Sequence, residues 1–280
     1  MAEAGDGRRA GQRPPVELHM DRPHPARVYD ALLGGSTNYP ADREAAKKTL
    51  ALLPSAALTA RHNRAFMHRA VRYLVEEAGI CQFLDIGSGI PTSPNLHEVA
   101  QEIAPASRVV YVDNDRIVLT HSRNLHTSHP QGRTAYIQAD LCDPISILKA
   151  PALQRTLDLS RPIALTLLAV LHWLPAGHDT YAIVNRLVQE LPSGSYLALS
   201  HATNDIEPEA MARIAAVFRA SGATLRARSR HEVLRFFDRL ELVEPGLTAV
   251  QSWRPDHVDI RADAFGAHEI PLYGAVARKP

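Results

Sequence analysis

The sequence predicts an α/β fold in which a largely parallel sheet is covered by helices on both faces. Three observations predict it. From Gln82 onward, short apolar runs alternate with segments of helical period. One of those runs, Ile163 to Leu168, carries almost no polar residue, as a strand buried on both faces requires. The first run, Phe83-Leu84-Asp85-Ile86, ends in Gly87-Ser88-Gly89, where a strand hands a ligand site to a following helix.

Met1 to Gln12 is rich in Gly, Ala and Arg and lacks the apolar stretch of a secretory signal. Residues 1–24 read as a disordered lead-in. Residues 25–79 read as a helical cap. Ala26 to Leu33 forms its first helix, closed by Gly34-Gly35. The turn chemistry of Ser36 to Pro40 follows, and a second helix runs from Pro40 to the break at Pro54. Ser55 is placed to cap a third helix that stops at Gly79, with Phe66, Met67, Ala70, Val71, Leu74 and Val75 on one face. Arg61, Arg64, His68 and Arg72 form a basic stripe on this helix, which for His68 and Arg72 reads as a solvated face.

Residues 80–280 read as the α/β domain. Strands are expected at Gln82–Ile86, Arg108–Asp113, Thr134–Ala139, Ile163–Leu168 and Ser195–Ser200, with late antiparallel strands at Leu240–Val243 and Tyr273–Ala277. Between them, helices are expected at Ser93–Ala104, Asp115–His126, Gly177–Glu190, Pro208–Ala220 and Ser229–Phe237, and another helical segment starts at Asp143-Pro144.

The formal net charge of +1 over 280 residues gives no overall field for a nucleic acid or a membrane surface. Two cysteines, Cys81 and Cys142, do not make a disulfide framework, and a reducing cytoplasm is the simplest setting. The longest apolar run, Ile163 to Leu171, is too short to cross a bilayer. His121, His126 and His129 have no cysteine or acid to complete a metal set, so no metal is expected.

In open α/β sheets ligands bind beyond the carboxyl ends of the strands. Here those ends carry Asp85-Ile86-Gly87-Ser88-Gly89, then Asp113, then Asp140-Leu141, then Ala169-Val170-Leu171-His172-Trp173. Glycines let a ligand approach the backbone, and an acid ending the second strand accepts from ribose hydroxyls. Asp140 can accept from an exocyclic amine while the Leu141 amide donates to a ring nitrogen. A dinucleotide fingerprint needs a third glycine where Thr92 stands, after Pro91, and no Gly-Lys-Ser/Thr follows for a polyphosphate. A ligand with a ribose and a base but no polyphosphate remains, and S-adenosylmethionine fits that description.

The set Phe83-Leu84-Asp85-Ile86-Gly87-Ser88-Gly89, Val110-Tyr111-Val112-Asp113-Asn114-Asp115 and Ala139-Asp140-Leu141 resembles motifs I to III of class I S-adenosylmethionine-dependent methyltransferases. With Ala26 to Gly35 and Asn63-Arg64-Ala65-Phe66, the chain from about residue 25 to 280 resembles an actinobacterial methyltransferase family once labelled a domain of unknown function. The resemblance implies a Rossmann-like sheet of strand order 3-2-1-4-5-7-6, its last strand antiparallel, beneath an N-terminal helical cap. It implies that Gly87, Ser88 and Gly89 border the methionine moiety and ribose. It further implies that Asp113 holds the ribose hydroxyls, Asn114 lies beside adenine, Asp140 and Leu141 read its edge, and Ala169 lies along the methionine part. It supplies no acceptor, and the apolar Leu167-Leu168-Ala169-Val170 lacks the Asn/Asp-Pro-Pro-Tyr pattern of many N-methyltransferases.

Methyl transfer from a sulfonium asks the protein mainly to position a nucleophile. His172 is the candidate general base, with packing beside Trp173 as its other reading, and His201 is a second cleft candidate or a structural residue. Arg64 and Asn63 could hold the methionine carboxylate. Tyr29, Asn38 and Tyr39 could meet cofactor or substrate, or merely hold the cap. Asp85 could touch the ligand or support the glycine loop. The expected function is methyl transfer to a small molecule; a silent cofactor-binding regulator is the alternative.

Overall fold

The computed structural model describes residues 20–118, 120, 128–256 and 270–280. Among the described residues eight strands form one sheet: β1 (Gln82–Ile86), β2 (Arg108–Asp113), β3 (Arg133–Gln138), β4 (Ala164–Leu168), β5 (Tyr196–Ala202), β6 (Glu241–Leu242), β7 (Thr248–Ala249) and β8 (Leu272–Arg278). Their order is β3-β2-β1-β4-β5-β8-β6, with β7 also paired to β8. This is the expected path; the two-residue β7 shifts the numbering of the last strand by one. β1 to β5 run parallel, and β8 is antiparallel to β5, β6 and β7.

β1 pairs with β2 on one side and β4 on the other, Phe83 lying opposite both Val109 and Ala164. The chain therefore leaves the sheet in opposite directions on either side of β1. That reversal opens a crevice at the carboxyl ends of β1 and β4.

Two apolar layers cover the sheet. On one face, Phe66, Met67, Ala70, Val71 and Leu74 of α3 (Ala56–Glu76) join Phe83, Val109, Ala198 and Val276. α4 (Leu96–Ile103) and α8 (Pro208–Ala220) share this layer. On the other face, Leu84, Val110, Leu165 and Leu197 meet Ile147 of α5 (Pro144–Leu148), Leu153 of α6 (Pro151–Thr156) and Ile183, Val184 and Leu187 of α7 (Thr180–Gln189). Alternate residues of one strand serve the two layers, which is why these strands read as unbroken apolar runs. Leu74 is fully buried, and its truncation to Ala would cost about 2–5 kcal/mol.

The first helices, α1 (Pro25–Leu32) and α2 (Pro40–Leu52), begin with proline, whose missing N–H is no loss at a helix start. Val28, Ala45, Ala46 and Leu53 join the same apolar layer as α3, so the N-terminal helices pack into the main core. Buried Arg27 pairs with buried Asp42 at 3.2 Å, and Asp42 also accepts from the His24 and Tyr39 amides at 2.8 Å each.

Several boundaries differ from expectation for local reasons. Ser55 has helical dihedrals and its side chain caps nothing; its carbonyl instead accepts from Thr59. α4 begins at Leu96, because the Asn95 and Glu98 side chains form a capping box there. α7 begins at Thr180, because the Asp179 carboxylate accepts from the Tyr181 and Ala182 amides. β5 continues through Ala202, so His201 lies within the strand, fully buried, and not beyond its end. Arg72 is ion-paired with Asp256 at 2.8 Å, and His68 meets the Pro94 carbonyl at 3.0 Å. The expected helix over 115–126 is helical at 116–118 and 120; the remainder, with His121 and His126, lies outside the described residues, as does most of the 1–24 lead-in. His129 is held by Gln101, whose Oε1 accepts from its amide at 2.7 Å. No helix among the described residues is long and apolar enough to cross a membrane.

Candidate functional site

The crevice at the strand ends holds a cavity of about 360 Å³, within the usual range for small-molecule sites. Its floor is the β1 turn. Gly87 and Gly89 have φ of +79° and +67°, a region that suits glycine. The Gly87 amide donates to the Val112 carbonyl at 2.8 Å, which ties the turn to β2. Asp113 stands at the end of β2, 6% exposed, and its two carboxylate oxygens accept from the Gly89 amide and the Asp115 amide, each at 2.9 Å. Burial raises its pKa while those two amides lower it. The Ser88 hydroxyl lies buried in the cavity wall with no partner among the described residues.

Asp85 lines the same cavity and accepts from the Thr166 hydroxyl at 2.6 Å. Burial lifts its pKa to about 6. Arg64 reaches in from α3, its Nη2 donating to the carbonyls of Thr92 and Pro94. Burial lowers its pKa, with Tyr29 and Asp85 acting the other way. Among the described residues no acid is within ion-pair distance of Arg64. Asn114, Asp140, Leu141 and Trp173 complete the wall, and the Asp140 carboxylate turns the following backbone by accepting from the Cys142 amide at 2.8 Å.

A directed chain of hydrogen bonds joins the N-terminal helices to the sheet beside this cavity. Ser200 of β5 donates to Asn63 Oδ1 at 2.6 Å. Asn63 Nδ2 donates to the Tyr29 hydroxyl at 3.0 Å, and Tyr29 donates to the Ala60 carbonyl at 2.9 Å. Ser200 Oγ also accepts from the Ala169 amide at 2.9 Å. Ala169 has φ of +52°, so the residue after β4 is held in a left-handed conformation by β5.

A family model described as S-adenosyl methyltransferase matches residues 11–280. The chain belongs to that family. Among solved structures, a DUF574 family protein from Streptomyces avermitilis is 51% identical, over 94% of this chain and all of its own, with a TM-score of 0.91. A protein from Thermobifida fusca, provisionally named a methyltransferase, is 40% identical, over 95% of this chain and 98% of its own, with a TM-score of 0.84. No curated protein matches. The chain is thus an S-adenosylmethionine-dependent methyltransferase.

The residues present fit that cofactor on three counts. A Cβ added to Gly89, which lines the cavity, would meet nothing within 4 Å, so the turn leaves open space at that residue. The buried Ser88 hydroxyl has no partner among the described residues and can bond a ligand group. The Asp113 carboxylate is anchored by amides yet keeps further lone pairs, as a pair of ribose hydroxyls would need.

Of the residues singled out in the sequence of this methyltransferase, Tyr29, Asn63, Arg64, Asp85, Gly87, Ser88, Gly89, Asp113, Asn114, Asp140, Leu141, Ala169 and Trp173 all line the cavity. Asn38 does not. Its amide donates to Asp30 at 2.8 Å and to the Gly35 carbonyl at 2.9 Å, holding the Gly-Gly turn. Tyr39 is the N-cap residue just before α2 and packs under Arg27 and against Ile90 and Ile117. His201 is locked away from the cavity: Arg228 donates to its Nε2 at 2.7 Å and its Nδ1 contacts the Ala202 carbonyl at 2.7 Å. His172 lines a second, smaller chamber next to the cavity, where its Nδ1 accepts from the Ala202 amide at 3.2 Å. Burial, with Arg228 nearby, pushes its pKa to about 3, which makes it a poor proton acceptor near neutrality.

His24, Tyr111 and Cys142 also line the cavity and were not singled out. His24 precedes the first helix and faces Asp115 at 3.3 Å, a juxtaposition of residues 91 apart in the chain that local pattern cannot reveal. Tyr111 was noted only within a motif.

Proposed function

We propose that this methyltransferase acts on a small-molecule acceptor, with the cofactor in the crevice floored by Gly87, Ser88 and Gly89. S-adenosylmethionine supplies, when bound, an electrophilic methyl group on a sulfonium. In this reading Asp113 accepts from the ribose hydroxyls. Asn114, Asp140 and Leu141 flank the adenine. Arg64, with the remaining Asn63 N–H, faces the methionine carboxylate, and Ala169 borders the methionine side. Residues 25–79 serve as a cap that excludes water from the acceptor position, and the α/β domain from residue 80 carries the cofactor.

The observation that carries the small-molecule reading is the roof. Tyr29 of α1 and Asn63 of α3 line the crevice beside Ala169: Ser200 of β5 donates to Asn63 at 2.6 Å and accepts from the Ala169 amide, and Asn63 donates to Tyr29. A molecule that reaches Ala169 must fit beneath these helices, which suits a small acceptor better than a polymer. No general base is assigned, because displacement at a sulfonium methyl needs one only when the acceptor atom is protonated at working pH.

Calorimetry with S-adenosylhomocysteine, followed by an acceptor screen read as S-adenosylhomocysteine release, tests the reading. Saturable binding and turnover of a small molecule support it. Turnover confined to nucleic acid or protein would overturn the small-molecule assignment. Tight binding with no turnover across a broad screen would favour a regulator.

A further inference from the structure

Behind the cofactor cavity lies a second chamber of about 110 Å³. The two share Pro25, Tyr29, Asn63, Ala169 and Trp173 as a common wall. The inner chamber is bounded by Leu32 of α1, Leu53 after α2, Met211, Ile214 and Phe218 of α8, and Leu225. We infer that it binds the apolar end of an electrically neutral methyl acceptor, sized for one six-membered ring or a short branched alkyl group. This inference rests on the methyltransferase reading above and extends it to a substrate class.

The lining sets the charge. Among the described residues it contains no Asp, Glu, Lys or Arg. Its hydroxyls are already spent: Thr49 donates to the Ala45 carbonyl at 2.9 Å, Thr59 to the Ser55 carbonyl at 3.0 Å, and Tyr29 to the Ala60 carbonyl at 2.9 Å. His172 is neutral, and because its Nδ1 accepts from Ala202, its ring proton sits on Nε2. A carboxylate, phosphate or ammonium group entering here would lose its hydration with no counter-charge. A neutral ring would lose only water-exposed apolar surface.

The volume sets the size. A dry protein cavity of about 150 Å³ lined by Leu, Ile and Phe takes one benzene. The chamber is slightly smaller, so a single ring fits with minor side-chain adjustment, and a second fused ring would have to lie outside it. The shared wall sets the position: a group seated here projects its substituent past Tyr29 and Ala169 into the cofactor cavity.

The test uses the full chain saturated with S-adenosylhomocysteine, titrated calorimetrically with p-cresol, 4-methylbenzoate, 4-methylbenzylamine and 2-naphthol. The expected result is saturable p-cresol binding, about tenfold or more weaker for 2-naphthol and about a hundredfold or more weaker for the charged pair. Ile214→Phe, which fills the chamber, should weaken p-cresol by about tenfold or more while leaving S-adenosylhomocysteine binding intact. Should that variant lose S-adenosylhomocysteine binding, Leu225→Phe replaces it. Absence of p-cresol binding, equal binding of the charged analogues, or p-cresol affinity unchanged in a filled variant that still binds S-adenosylhomocysteine would overturn the inference and leave the methyltransferase reading standing. Failure of the wild-type chain to bind S-adenosylhomocysteine would instead overturn the cofactor site, and with it the acceptor assignment.

Discussion

Gly87 and Gly89 look interchangeable in the sequence, and the structure gives them separable jobs. Both have positive φ, so either Gly→Ala change incurs about 1–2 kcal/mol of backbone strain. At Gly87 an added Cβ would fall 2.4 Å from Val170 Cγ2 and 2.6 Å from Val170 Cβ. The second contact is with Val170 Cβ, beside the backbone rather than at a side-chain tip, so overpacking adds roughly 1–3 kcal/mol. Gly87→Ala should therefore destabilise the fold by roughly 2–5 kcal/mol in total. At Gly89 the added Cβ meets no protein atom, so only the strain of about 1–2 kcal/mol remains. That same methyl occupies the open side of the turn, where the cofactor is proposed to lie. Urea unfolding measures the first effect and calorimetry with S-adenosylhomocysteine the second. Gly89→Ala should fold nearly normally yet bind at least about tenfold more weakly. Wild-type affinity in a folded Gly89→Ala protein would refute the placement of the cofactor on this turn. Equal stability of the two variants would refute the role of the Val170 contact.

Three further outcomes follow from the same site. Asp113→Asn removes a charged acceptor and should weaken S-adenosylhomocysteine by about ten- to a hundredfold in calorimetry; unchanged affinity would remove the ribose assignment. Asp85 has a folded pKa of about 6 against an ordinary 3.8, so between those values the folded state keeps a proton that the unfolded chain has released. Stability should thus decline as pH rises from about 4 to about 6 by up to roughly 3 kcal/mol, and Asp85→Asn should abolish that decline in urea unfolding. His172, pushed to about 3, behaves oppositely on acidification: the unfolded chain takes up its proton first, so stability is lost as pH falls from about 6.5 toward 3, and His172→Gln should reduce that slope. A kinetic pH profile that loses a limb near neutrality in His172→Gln would contradict the buried, neutral ring.

Features written in local patterns were readable in the sequence. α8 spans Pro208–Ala220 as expected, because a proline opens it, Gly222 follows it and the apolar period between them is clear. The Gly87-Ser88-Gly89 turn and the acids ending β2 and β3 were legible because parallel strands end in ligand-facing residues. β7, only two residues long, carries no period to detect. α6, six residues opened by Pro151, was likewise too short to separate from a loop. His201 was misplaced because β5 runs two residues past Ser200, an extension fixed by pairing with Tyr273 and Leu272 rather than by composition. The inner chamber was invisible for a related reason. Its walls come from Leu32, Leu53, Ile214 and Leu225, each of which reads alone as ordinary core.

The chain from Ser200 through Asn63 to Tyr29 draws one residue from each of three distant stretches. Each side chain is both satisfied by and required by its neighbour, so a single replacement orphans the next group in line. Double-mutant cycles across these positions should depart from additivity by about 0.5–3 kcal/mol. Sequence drift at one of the three is therefore constrained by the other two. Related chains that change one should change a second, and the roof over the crevice would then vary as a unit while the floor at Gly87 and Gly89 stays free to keep its own form.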